Sequence, residues 1–124
     1  MAASVILLAH GSRDPLWRQS IEAVAARMAA LAPEVAVRCA YLELCTPTLA
    51  EAAADLVAQG ASAISVLPMF LGVGKHARED MPRLMDALRL QYPAVDWQLQ
   101  TPIGEQPQVV DLMARLALES LPPE

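Results

Sequence analysis

The chain has 124 residues, of which 55% are hydrophobic and 19% charged, enough apolar material to fill one core and too little length for two ordinary domains. A formal net charge of −5 excludes the basic face that non-specific nucleic-acid binding needs. No apolar run approaches the roughly 18 residues that span a bilayer, and the opening MAASVILLAHGSR lacks the basic lead and cleavage site of a signal peptide, so a soluble chain in the cytoplasm is expected.

SVILLA, residues 4–9, is the unbroken apolar run of a strand covered on both faces in a parallel sheet. Asp14 and Pro15 form a helix start. Beyond them Trp17, Ile21, Val24, Met28 and Leu31 recur at helical spacing until Pro33, a pattern of core packing. VAVRCAYL, residues 35–42, alternates as a second strand nearer an edge. Thr48 and Glu51 carry a capping-box signature for the helix that follows, and Gly60 stands where its C-terminal cap belongs.

SAISVLPMF, residues 62–70, predicts a third buried strand. LGVGKHARED then predicts a loop leading to a helix that includes MPRLMDALRLQY, with Pro82 tolerable only in its first turn. Met81 and Met85 there belong to the core. VDWQLQT, residues 95–101, is a fourth strand, PIGEQP a turn-rich link, and QVVDLMARLALESL a last helix. Cys39 and Cys45, few and set among apolar residues, fit reduced core thiols better than a disulfide framework.

Strands alternating with helices over short links imply an α/β fold, an open, mostly parallel four-stranded sheet with helices on both faces. Ligands of such sheets bind beyond the carboxyl ends of the strands. That edge selects His10 after the first strand, Glu43 at the end of the second and His76 in the loop after the third. Two imidazoles and a carboxylate suit a divalent transition metal. Gly11, Gly72 and Gly74 allow close backbone approach there, while Arg13, Lys75 and Arg78 make the rim locally basic. Neither HGSRD nor GVGKH has the glycine spacing of a nucleotide-binding loop. Ala9 stands where a histidine phosphatase would carry its phosphate-holding arginine.

VILLAHGSRDP, YLELCTPTL, LPMFLGVGKHARED and TPIGEQPQVVDL together resemble the short CbiX-type sirohydrochlorin chelatases of the class II tetrapyrrole chelatase family, across nearly the whole chain. The resemblance implies insertion of Co²⁺ or Fe²⁺, or Ni²⁺ in some archaeal relatives, into sirohydrochlorin, with the metal as substrate and no tightly bound cofactor. Its products would lead toward cobalamin or siroheme.

By the same resemblance His10 is a metal ligand and proton acceptor, His76 a second ligand and Glu43 a third. Leu71, Gly72, Val73, Gly74, Lys75 and His76 form the substrate-contacting segment. Thr46 stands where some short relatives place a substrate-binding glutamate. Residues 1–124 would be one domain, equivalent to one lobe of a two-lobed chelatase, and two copies would form a homodimer around the tetrapyrrole. A non-catalytic tetrapyrrole carrier or metal chaperone with the same ligands is the alternative, which turnover separates.

Overall fold

A computed structural model describes residues 2–123. Its elements run β1 (Ala3–Ala9), α1 (Gln19–Leu31), β2 (Ala36–Tyr41), α2 (Leu49–Ala58), β3 (Ala63–Pro68), α3 (Lys75–Gln91), β4 (Asp96–Leu99) and α4 (Pro107–Glu119), with single 3₁₀ turns at Pro15–Arg18 and Ile103–Glu105. The four strands form one all-parallel sheet in the order β2-β1-β3-β4. This is the expected α/β class.

The central strand β1 buries Ile6, Leu7 and Leu8 almost completely, because alternate side chains enter packed layers on opposite faces. Ile6 and Leu8 join Leu56 of α2, Met85 and Leu88 of α3 and Trp97 of β4 in the larger core. Leu7 and Ala9 join Tyr41 and Ile21 of α1 in a smaller one. Both methionines of α3 assigned to the core, Met81 and Met85, are buried there, and Met28 packs against the smaller cluster.

Local chemistry places the ends of several elements. Asp14 accepts the Leu16 N–H at 2.9 Å and launches the first turn. Thr48 and Glu51 form the reciprocal capping box of α2, and Gly60 follows that helix at φ 93°, a conformation glycine adopts without strain.

Other boundaries differ from the sequence reading. The helix containing Pro82 begins at Lys75, so Pro82 lies in its interior rather than its first turn and removes the N–H that would bond the Arg78 carbonyl. Its start carries no side-chain cap, Gly74 being the N-cap residue, which is why the pattern hid it. Trp17 is 40% exposed rather than core, because Pro15–Arg18 is a 3₁₀ turn that tilts its ring onto Tyr41 at 6.0 Å. Cys39 and Cys45 are free thiols, only half-buried. Among the described residues no helix is long and apolar enough to cross a membrane.

Candidate functional site

Three strand ends meet at one rim of the sheet. β1 ends at Ala9, and His10 is the next residue, exposed, its ring stacked on Phe70 at 4.2 Å between centroids. Phe70 follows β3 and is buried, so the larger core supplies a fixed apolar floor for an exposed imidazole.

Glu43 lies just past β2 rather than at its end. The backbone continues the β1–β2 pairing one step beyond the strands: the Leu42 N–H donates to the Ala9 carbonyl at 3.0 Å and the Glu43 N–H to the His10 carbonyl at 2.9 Å. Gly11, at φ 107°, lets this approach happen, since a Cβ there would collide with the Glu43 carbonyl oxygen. Leu44 then adopts φ 67°, the Cys45 N–H donates to the Glu43 carbonyl at 2.9 Å, and the Thr46-Pro47 peptide is cis. This tight turn presents the Glu43 side chain to solvent.

His76 is in the first turn of α3, not in a loop. A helix repeats its face every three to four residues. From His76 the same face continues to Asp80 and then to Arg83 and Leu84. All three line a cavity of about 570 Å³ together with His10, Glu43 and His76, with Leu42, Ala77 and Met81 completing its wall. The size falls within the range of small-molecule sites.

His10, Glu43 and His76 therefore share one cavity, as their rim positions predict. They are not in ligating contact: among the described residues no three His, Cys, Asp or Glu side chains converge tightly enough to hold a metal ion. All three are exposed, and His10 among them is held by its stacking on Phe70.

Thr46, Leu71, Gly72, Val73, Gly74 and Lys75 do not line this cavity. Val73 packs against the larger core, whereas Leu71, Gly72, Gly74 and Lys75 are exposed beside the site. Gly72 and Gly74 face open space and have no steric need to be glycine. Gly104 does have one: its N–H donates to the Phe70 carbonyl at 3.0 Å, and a Cβ there would collide with the Leu71 backbone.

Sequence reasoning missed Asp80 and Arg83. The signal was their spacing from His76, visible only once the helix is known to start before it. Their side chains approach to 4.0 Å and are largely exposed, so the pair adds charge to the cavity rather than stability.

The CbiX family model matches residues 4–120. The chain is 35% identical over 82 residues to the sirohydrochlorin cobaltochelatase of Methanopyrus kandleri, a match covering 66% of this chain and 57% of that protein. It therefore spans less than two thirds of that relative's length. The crystal structure of a CbiX protein from Marinobacter aquaeolei VT8 superimposes with a TM-score of 0.81 at 31% identity, covering 94% of this chain and 95% of that one. The sirohydrochlorin chelatase SirB from Bacillus subtilis subspecies spizizenii, solved in complex with cobalt, superimposes with a TM-score of 0.79 at 27% identity, covering 97% of this chain and 51% of that one.

Proposed function

Because the chain belongs to the CbiX family, we propose that it is a sirohydrochlorin chelatase, inserting Co²⁺ or Fe²⁺ into the metal-free tetrapyrrole in cobalamin or siroheme formation. The observation that carries this reading is the convergence of both histidines of the chain and Glu43 on one open cavity at the carboxyl edge of the sheet. The names of the Methanopyrus and Bacillus relatives supply the substrate and support cobalt as one metal.

His10, His76 and Glu43 hold the incoming ion, two neutral imidazoles and a carboxylate offsetting its charge. The Phe70 ring beneath His10 fixes the plane of that imidazole, which reduces the ordering needed when it binds metal or proton. As metal–nitrogen bonds form, the ion loses water and the pyrrole nitrogens lose their protons. His10 accepts one, and solvent takes the other. The metal is consumed as substrate, so no resident cofactor is required.

Thr46 and the segment Leu71–His76, of which only His76 lines the cavity, contact the macrocycle periphery where it extends beyond that cavity. Arg13, Lys75 and Arg78 are exposed, and they face its carboxylates. The long-range field of a −5 chain gives no attraction to such a substrate, so these local cations do the recruiting. The chain acts as one chelatase lobe, in the cytoplasm, and two copies enclose the tetrapyrrole.

Anaerobic incubation with sirohydrochlorin and Co²⁺ or Fe²⁺, followed by visible absorption against protein-free controls, tests the activity. Catalytic turnover is expected, with His10→Ala and His76→Ala each slowing insertion by about 10²-fold or more. Stoichiometric binding without acceleration would identify a carrier instead. Full activity in both variants would reject the site.

A further inference from the structure

α3 forms one wall of the cavity, and the charges it presents there follow an order. From His76 the cavity-facing stripe runs through Asp80 to Arg83, four and then three residues on, so the three lie on one helix face. At 1.5 Å of rise per residue, Asp80 stands about 6 Å and Arg83 about 10 Å along the axis from His76. Ala77, Met81 and Leu84 fill the margins of the stripe with apolar surface. Imidazole, carboxylate and guanidinium thus succeed one another along a wall that is otherwise apolar.

Arg83 is the one Lys or Arg among the described residues that lines the cavity; Arg13, Lys75 and Arg78 do not reach it. Its donors are also uncommitted. Arg89 and Asp86, farther along the same helix, have the same three-residue spacing and form a hydrogen bond at 3.2 Å. Arg38 bonds Asp55 at 2.8 Å and Arg115 bonds Asp111 at 2.7 Å. Arg83 approaches Asp80 only to 4.0 Å, beyond hydrogen-bond reach. Of these aspartate-paired arginines it alone keeps an open fork, and it is the one in the cavity.

Asp80 gives the wall a direction. A carboxylate placed beside Asp80 meets like charge, whereas one placed beside Arg83 meets N–H donors in a planar fork that matches its own geometry. Discrimination between two placements is sharpest when one is repelled and the other attracted. With the metal held at the His76 end, the centre of a macrocycle lies near the start of the stripe. Arg83, two turns away, meets its fringe, where the carboxylates are.

We propose that Arg83 binds one side-chain carboxylate of the tetrapyrrole, and that Asp80 excludes carboxylates from the stretch between Arg83 and the metal ligands. Together they set how the macrocycle is turned in the cavity. Arg83 is thereby a specificity-determining residue for insertion. Leaving Asp80 for the substrate costs it little, because an exposed pair at this distance is weak. The proposal rests on the chelatase reading for the identity of the ligand, and on the cavity for the residues.

Titration of sirohydrochlorin into the chain without metal, followed by visible absorption, tests it with three variants. Arg83→Gln should weaken binding about tenfold, the loss of a charge-assisted pair at an open site. It should also blunt the weakening that added salt produces in the parent. Asp80→Asn should tighten binding by about two- to threefold, since a repelling charge is removed. Arg89→Gln makes the same charge change on the same helix outside the cavity, and should stay within about twofold of the parent. All three should melt like the parent, because none of these side chains is buried. Parent-like binding by Arg83→Gln, an equal loss in Arg89→Gln, or weaker binding by Asp80→Asn would each overturn the proposal while leaving the insertion assay untouched. A parent that binds the tetrapyrrole without turnover would overturn the chelatase reading and leave the role of Arg83 standing. A parent that binds no tetrapyrrole would overturn both.

Discussion

The two faces of the sheet are built to different degrees of completion. On one, α2 and α3 close over Ile6, Leu8, Ile64, Val66 and Trp97, and the layer is buried from β2 to β4. On the other, α1 closes over Leu7, Ala9 and Tyr41 and stops, leaving Leu67 and Met69 half-covered and Gln98 in water. The complete face supplies rigidity to the site: Phe70 belongs to it and carries His10. The incomplete face leaves apolar surface in contact with water, at the expense of stability in the single chain.

The largest test of this contrast is a pair of truncations. Leu56→Ala, in the complete face, should cost about 2–5 kcal/mol in denaturant unfolding, because a closed layer cannot collapse around the cavity. Leu67→Ala, in the open face, should cost less than half as much. Equal losses would erase the distinction between the faces.

A smaller effect separates the rigidity of the floor from its chemistry. Phe70→Leu keeps apolar bulk but removes the ring under His10, with an expected loss of about 0.5–1.5 kcal/mol. Insertion should slow more than this destabilisation explains, since the imidazole loses its fixed plane while the chain remains folded. An unaltered insertion rate would show that the stacking has no part in catalysis.

The smallest effect lies under α1. Burial, reinforced by the negative charge of Glu22, raises the Cys39 thiol above its ordinary value. Burial also raises the Tyr41 hydroxyl, with the neighbouring Cys39 next in effect. A folded-state value above the unfolded one means stability that is whole below the unfolded titration and lost as pH rises through the folded one. The unfolding midpoint should therefore fall in alkali, beginning around the usual thiol value of about 8.5. Cys39→Ala should flatten that fall without abolishing it, because Tyr41 still titrates. An identical pH profile in the variant would place the alkaline loss elsewhere.

Much of this was legible in the chain. Continuous apolar runs at β1 and β3 and the Thr48 and Glu51 capping box are local signals, and each one produced the element it predicts, whereas the Asp14 start produced a 3₁₀ turn ahead of α1. The rim positions of His10, Glu43 and His76 followed from strand ends alone, and the three do share a cavity. The start of α3 was not legible, because Gly74 offers no side-chain cap and the loop before it reads as irregular. With that start went the helical phase of His76, and so Asp80 and Arg83.

Periodicity and capping act over a few residues, and by themselves they determined the α/β order, the parallel sheet and the edge on which both histidines and Glu43 gather. Three things had to wait for the tertiary structure. Gly11 and Gly104 are required by backbone segments distant in sequence, Glu43 and Leu71, that no local pattern announces. His10 rests on Phe70, sixty residues away along the chain, because β1 and β3 are neighbours. α4, apolar enough to be read as a core helix, finds no core in its own chain, since burial depends on where the preceding link points and not on the helix's own sequence.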